Sequence, residues 1–467
     1  MRPEIQEYNF DWMLHKSMHI AFDSLKGSKK EYKYMLNYMP YFKGLMDLLG
    51  KYDEPGILFV ELVKDAVDEI VFAHDHGKKI CMTTFCLSPI VLLAMDVVPV
   101  VMEPLTVLPT ILWKRGTYDF MNYCFEVGLS ETSCSSQRGA LGAYLAGLCE
   151  PIDFVVFDSG GVCDTNANVF AFSSSYLNKP LFQLDYPASF LDQKTKEYQR
   201  QDFRELVSFL ETQTGKKLEL DQLRKGLEET HRQDLIISQI DELQMLKPNP
   251  LPPIFNLFMY AGRFLATSKP GYTKLLESML NTVQKNADQG KSGLQSGKEK
   301  CRALFCYIDH YSSDARMWNF LDDHGISHLG SILSRFFPDH APYLLDDDIN
   351  SGYHIQLDSL DDMIDSLAEI NARSPMVKSI RGPYDTPYMW LEDALAFARL
   401  YQADCIVYSG TPGCRNTWGM VKPFARDTEK HGFPTHIMYS DAFDERVESF
   451  ETTSLRLAEF FRVRQLI

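Results

Sequence analysis

Three cysteines, Cys134, Cys163 and Cys414, stand in surroundings that suit ligands to iron. Cys163 closes Phe157-Asp158-Ser159-Gly160-Gly161-Val162-Cys163-Asp164, directly after an apolar strand-like run, with glycines that let the backbone approach a bulky inorganic group. Cys414 stands the same way in Ser409-Gly410-Thr411-Pro412-Gly413-Cys414-Arg415-Asn416. Cys134, in Glu131-Thr132-Ser133-Cys134-Ser135-Ser136-Gln137-Arg138, falls at the start of a helix, where free backbone N–H groups favour a thiolate. Ligands of open α/β sheets collect outside the carboxyl ends of the strands, so these thiolates could meet around one cluster. Cluster iron takes four ligands, and three cysteines leave a position open for substrate or water.

Spacing alone leaves the matter open. There is no C-x2-C pair of the kind that marks zinc ribbons or ferredoxins. A free cysteine is more often a small buried hydrophobe than a ligand. Of the ten cysteines, Cys86 also follows a strand and competes as an additional ligand, while Cys81, Cys301, Cys306 and Cys405 lie inside apparent strands and read as core. Ten in 467 residues is far below the density of a disulfide-stapled domain, so a reducing cytoplasm is expected.

The elements that must carry these residues alternate. Residues 1–50 read as a helical lead-in, with Tyr32, Tyr34, Met35, Tyr38 and Met39 at helical spacing and a stop at Leu49-Gly50. Residues 51–190 read as a first α/β domain holding Cys134 and Cys163. It has a helix over 57–73, strands at 79–85, 154–158 and 181–184, and a helix over 139–148. Residues 191–300 read as a helical middle insert. Phe203, Leu206, Val207 and Leu210, then Leu223, Leu227, Leu235, Ile236 and Ile240, keep a helical period, and 284–300 forms an exposed linker. Residues 301–467 read as a second α/β domain holding Cys414, with strands at 303–308, 405–409 and 435–439 and a last helix over 445–461. The fold expected is α/β, two Rossmann-like parallel-sheet units with helical additions.

Composition excludes several classes. Asp plus Glu number 63 against 47 Lys plus Arg, a net charge of −16, which argues against a nucleic-acid surface. The most apolar stretch, 88–113, is broken by Pro89, Pro99, Pro104 and Pro109 and carries Asp96 and Glu103, so it reads as buried strand and loop rather than a membrane span. Gly290-Lys291-Ser292 and Gly297-Lys298 lack the first glycine of a phosphate loop, and no G-x-G-x-x-G or G-x-S-x-G is present. His74 with His76, and His324 with His328, read as polar surface histidines at turns.

The cysteine segments resemble those of the 2-hydroxyacyl-CoA dehydratase and benzoyl-CoA reductase family. Cys134 before a small-residue helix resembles the first ligand segment. Asp153-Phe154-Val155-Val156 leading to Cys163-Asp164 resembles the second, and Ala403-Asp404-Cys405-Ile406-Val407 leading to Cys414 the third. Leu184-Asp185-Tyr186-Pro187 and the run from Gly432-Phe433-Pro434 to Asp441-Ala442-Phe443-Asp444-Glu445-Arg446 also match. The resemblance implies a 4Fe-4S cluster on Cys134, Cys163 and Cys414, an acyl-CoA thioester as substrate, a homologous second subunit, and a separate ATP-dependent iron-sulfur activator protein. Larger clusters of the double-cubane kind occur in the superfamily, and Cys86, Cys124 and Cys149 could contribute to one.

Dehydratase subunits commonly carry an acidic Pro-x-Glu type motif in the segment that here reads Phe85-Cys86-Leu87-Ser88-Pro89-Ile90-Val91-Leu92, without an acid. That absence, with chain length, points toward the larger, reductase-type subunits and a benzoyl-CoA reductase-like one-electron reduction. The alternatives are an (R)-2-hydroxyacyl-CoA dehydratase subunit and an electron-relay or double-cubane protein reducing small molecules. No catalytic residue can be assigned from the sequence.

Overall fold

A strand that is apolar at every position must have both faces covered, and parallel strands joined by helical crossovers achieve this. The computed structural model of the chain describes residues 9–27, 40–112, 114–158, 163–185, 193–307, 314–331, 353, 355–372, 389–411, 414–441 and 443–467. The first sheet contains β1 (Lys79–Thr83), β2 (Val97–Val101), β3 (Phe154–Asp158) and β4 (Leu181–Leu184) in the order β2-β1-β3-β4. The second contains β5 (Cys301–Tyr307), β6 (Ile326–Ser331), β7 (Cys405–Gly410) and β8 (Thr435–Tyr439) in the order β6-β5-β7-β8. All six pairings are parallel. The α/β reading with two Rossmann-like sheets holds.

The chain divides into two compact units. The first comprises Met1–Asp185, Gln201–Glu229 and Ala261–Leu275; the second comprises Tyr186–Arg200, Thr230–Tyr260 and Leu276–Ile467. The middle helices, Gln193–Thr214, Leu220–Leu243, Phe255–Ala266 and Pro270–Asp288, are shared out between both. Their periodic apolar positions are buried as the spacing requires, among them Phe203, Leu206, Leu210, Leu223, Leu227 and Ile240.

The two sheets are built alike at the amino ends of their strands. Asp153 precedes β3, its carboxylate accepts from the Ile80 N–H of β1 at 2.8 Å, and its own N–H donates to the Ile80 carbonyl at 2.8 Å. Asp404 precedes β7 and makes the same pair of bonds to Arg302 of β5, each at 2.8 Å. These aspartates fix where the two central strands of each sheet begin, and hence where they end.

The structure departs from the sequence reading in four places. The stretch expected as strand and loop holds two helices, Ile90–Ala94 and Met102–Leu112, around β2. Pro89 is the first helix's N-cap and Pro104 lies in the first turn of the second, where a missing N–H costs little, so these prolines start helices rather than break them. β6 was unforeseen because Ile-Ser-His-Leu-Gly-Ser shows no strand pattern, yet all six residues are buried. With it, the surface reading of His328 falls: the ring stacks on Phe305 at 4.3 Å, lies near Trp318, and burial pushes its pKa down to about 3. The expected linker is partly helix, to Asp288, and Ser292-Gly293-Leu294 is buried, with the Gly293 N–H donating to the Asn249 carbonyl. The aromatic run Tyr32 to Met39 lies outside the described residues.

The helix after Cys134, Ser135–Leu145, is buried along its whole length against Met102–Leu112 and Lys114–Glu126. Its glycines make that approach possible: a Cβ at Gly139 would collide with Thr106 and Thr117, and one at Gly142 with the Phe120 backbone carbonyl. Gly142→Ala is therefore expected to destabilise the protein by about 1–3 kcal/mol. Gly44→Ala, in a helix with open space at that point, should leave the thermal midpoint unchanged or slightly raised.

Candidate functional site

Each of the three singled-out cysteines is the N-cap of a helix: Cys134 of Ser135–Leu145, Cys163 of Asp164–Leu177, and Cys414 of Arg415–Lys430. All three have extended backbone, and their carbonyls accept from the first turn, as with Trp418 N–H to Cys414 at 3.0 Å and Ala167 N–H to Cys163 at 3.2 Å. A thiol held there faces the unsatisfied N–H groups and the positive end of the helix dipole, both of which favour the thiolate. Burial separates them from most of the others. Cys81, Cys86, Cys124, Cys301, Cys306 and Cys405 are buried, whereas Cys134, Cys149, Cys163 and Cys414 are partly exposed.

Topology places two of them equivalently. Cys163 follows β3 and Cys414 follows β7, the third strand of each sheet and one of the two strands flanking the point where strand order reverses. Ligands bind at the carboxyl ends of such strands. Cys134 and Cys163 belong to the first unit and Cys414 to the second.

In the first unit, side chains from three elements lock the two cysteine helices side by side. Gln137 and Asn166, the third residues of their helices, hydrogen-bond to each other. The Asn166 amide also donates to Thr84 Oγ1 at 2.7 Å and to Cys86 Sγ at 3.6 Å. The loop before Cys134 is held by Arg138, whose Nε donates to the Ser133 carbonyl at 3.0 Å while its guanidinium covers the Phe125 ring. Cys134 Sγ lies 2.9 Å from Ser136 Oγ.

Two buried carboxylates complete this network, and the sequence reading missed both as functional groups. Glu103 accepts from Thr84 Oγ1 at 3.0 Å, from the Phe85 N–H at 3.1 Å and from Gln137 Nε2 at 3.4 Å. The segment that lacks an acid in sequence therefore has one against its backbone in space. The available signal is a glutamate two residues beyond an apolar strand, which by sequence alone reads only as a charge against a membrane span. Asp158, the last residue of β3, is fully buried, and neither oxygen meets full hydrogen-bond geometry with a described residue. Burial pushes Asp158 up to about 8, with Glu103 adding repulsion and the Asn166 amide pulling partly back. Burial likewise pushes Glu103 to about 7. Both sit in the range where a carboxyl can give or take a proton near neutrality.

The remaining cysteines have other surroundings. Cys86 is buried, and burial together with Asp158 and the nearby Cys163 raises its pKa well above the ordinary thiol value. Cys124 donates to the Arg138 carbonyl at 3.6 Å and is pushed up to about 12 by burial. Cys149 lies against Asp11 and Glu150, and burial with those charges raises it strongly. Cys301 and Cys405 pack sulfur to sulfur at 3.8 Å between neighbouring strands, within the sheet as expected.

In the second unit the closing segment is wired to the Cys414 loop. Thr411 Oγ1 donates to Asp441 Oδ2 at 3.0 Å, and Asp441 Oδ1 accepts the N–H groups of Phe443 and Asp444, each at 3.1 Å. Asp444 in turn holds the Arg446 guanidinium through both oxygens at 2.7 Å. A Cβ at Gly410 would press on the Trp418 ring at 2.7 Å, so glycine there lets the Cys414 helix settle on the end of β7.

Two four-stranded parallel sheets, with helix-capping cysteines after the third strand of each, define an α/β protein of two Rossmann-like units. The model of the family described as 2-hydroxyglutaryl-CoA dehydratase, D-component, matches residues 88–462. The chain belongs to that family and is a component of a 2-hydroxyacyl-CoA dehydratase-type enzyme. Comparison with curated proteins gives no match. No described helix is long and apolar enough to cross a membrane.

The raised carboxyl pKa values have a sign that can be checked. Asp158 and Glu103 hold their protons to about 8 and about 7 in the folded chain, against 3.8 and 4.5 as ordinary values. The folded state thus binds more protons than the unfolded one between these limits, and stability falls as pH rises through that window. Asp158→Asn should flatten the fall between pH 6 and pH 8 and raise stability at pH 8 by about 1–2 kcal/mol, measured as a shift in thermal midpoint.

Proposed function

We propose that the chain carries a 4Fe-4S cluster on Cys134, Cys163 and Cys414 and acts on an acyl-CoA thioester beside a homologous second subunit, in the cytoplasm. A separate ATP-dependent iron-sulfur activator drives it. The observation that supports this reading is that all three cysteines are partly exposed N-caps of helices, Cys163 and Cys414 directly after the third strand of their sheets. The donor set fits the group, because thiolates are the ligands iron-sulfur clusters require and helix starts supply N–H groups for their sulfurs. Bound there, the cluster would supply one-electron chemistry with one iron left open.

The chain's own residues set the conditions around it. Gln137 and Asn166 tie the starts of the Cys134 and Cys163 helices to each other. Cys86 remains the candidate for any additional ligand in the first unit, since it is the buried thiol near Cys163. Glu103, held by Thr84, Phe85 and Gln137, is a group able to take or return a proton without leaving its place. Burial, with repulsion from Glu103 added, holds a proton on Asp158 near neutral pH.

These acids bear on the choice between dehydration and ring reduction. The benzoyl-CoA preference rests on chain length and on the acid-free segment from Phe85 to Leu92. Of that segment Cys86, Leu87, Ile90, Val91 and Leu92 are buried core, and Glu103 grips its backbone. Loss of a hydroxyl group needs a proton at the leaving oxygen, which a carboxyl titrating near neutrality can provide. A 2-hydroxyacyl thioester is therefore favoured over an aromatic one.

Two outcomes test this. Anaerobically assembled protein should contain about four iron and four sulfide per chain, as one 4Fe-4S cluster requires. Serine at position 134, 163 or 414 should lose them while Cys405→Ser keeps them, and the reverse pattern would reject the ligand set. Reconstituted with partner, activator and ATP, the complex should dehydrate a 2-hydroxyacyl-CoA, whereas the isolated chain should hydrolyse no ATP. Reduction of benzoyl-CoA without dehydration would reject the substrate choice alone.

A further inference from the structure

The amino-terminal helix Phe10–Leu25, outside the stretch matched by the family, places His15 and His19 one turn apart on the face packed against Asp53–Val71. Asp68 of that second helix lies between them. His15 Nδ1 is 2.7 Å from Asp68 Oδ1, and His19 Nε2 is 3.0 Å from both carboxylate oxygens. One ligand-type atom from each residue lies within 4.8 Å of the other two. Two imidazoles at i and i+4 with a carboxylate from a neighbouring segment is a donor set that borderline divalent metals accept.

The surroundings favour one ion over a chance cluster. The His15 ring is fixed by the edges of Trp12 at 5.0 Å and Phe72 at 5.4 Å, so its Nδ1 is aimed rather than free to turn. Side-chain exposure is 16% for His15, 24% for Asp68 and 43% for His19, which leaves the open side toward His19 and solvent. A tetrahedral ion with bonds of ~2.0–2.2 Å needs its ligand atoms roughly 3.3–3.5 Å apart, so the two imidazole–carboxylate separations, now 2.7 and 3.0 Å, have to widen by roughly 0.3–0.8 Å. Lys64 is the opposing feature, its Nζ 3.3 Å from Asp68 Oδ2. It contacts the carboxylate oxygen that His15 does not, and it is also paired with Asp65.

We propose that His15, His19 and Asp68 bind one divalent cation of the zinc class, with water in the remaining position, and that the ion clamps the helix Phe10–Leu25 to the helix Asp53–Val71. The clamp would act on a helix already anchored at its other end. Phe10 N–H donates to the Leu148 carbonyl at 2.8 Å, and Asp11 Oδ2 accepts from the Glu150 N–H at 2.6 Å, on the segment that follows the Cys134 helix.

The test is zinc binding by the cluster-loaded full-length chain and by His19→Ala and Asp68→Asn. His19 is the most exposed of the three ligands and the least needed for folding, which circular dichroism checks. After equilibration with micromolar zinc and removal of free metal, wild type should retain one more zinc per chain than either variant, and zinc should raise the thermal midpoint of wild type alone. Zinc K-edge absorption of the wild-type protein should show two imidazoles, oxygen and no sulfur; this reading does not depend on the variants folding. Equal zinc in all three proteins, or a sulfur-only shell, would place the metal on the cysteines and overturn the proposal. Loss of the iron-sulfur cluster would reject the functional reading without touching this one.

Discussion

The hydrogen bond between Gln137 and Asn166 is the contact on which the first unit's site depends. Each residue is the third of a helix whose N-cap is a cysteine, so one side-chain pair sets the distance between two thiols that are far apart in sequence. The bond lasts because both partners are fully buried, where an amide left unpaired would cost about 1–3 kcal/mol. Everything near it serves that geometry. Gly139 and Gly142 bring the Cys134 helix into contact with its neighbours, Thr84 and Glu103 extend the network to the end of β1, and Arg138 ties down the approach to Cys134.

The second unit reaches an equivalent cysteine position by other means. Asp404 repeats the role of Asp153 at the start of the third strand, and Cys414 repeats Cys163 at its end. The bracing differs: Thr411, Asp441 and Asp444 hold the loops after β7 and β8, with no counterpart of the Glu103 and Asp158 pair among the described residues. Sheet order repeats while the polar chemistry differs, and the two buried carboxyls pushed toward neutrality belong to the first unit.

How much of this could be read from the chain follows from what each feature depends on. β1, β3, β4, β5, β7 and β8 were legible because apolar runs ended by turn residues are local patterns; Cys163 and Cys414 were legible because each begins a helix after such a run, and Cys134 because a small-residue helix follows it. β6 was hidden because its burial is imposed by Phe305 and Trp318, which no local pattern announces. The prolines of the 88–113 stretch misled because their effect depends on position within a helix rather than on number. Glu103 was seen but not understood, since its partners Thr84, Phe85 and Gln137 come from two other segments. The His15, His19 and Asp68 group escaped for the same reason, its carboxylate lying 49 residues beyond the nearer histidine.

The central claim is three-cysteine ligation of a cluster with one iron left open, and Mössbauer spectroscopy of the protein assembled with iron-57 under anaerobic conditions addresses it directly. The result expected is a 4Fe-4S spectrum in which one iron is distinct from the other three and changes alone when an acyl-CoA is added. Four equivalent irons, or iron in no cluster at all, would contradict the assignment of Cys134, Cys163 and Cys414.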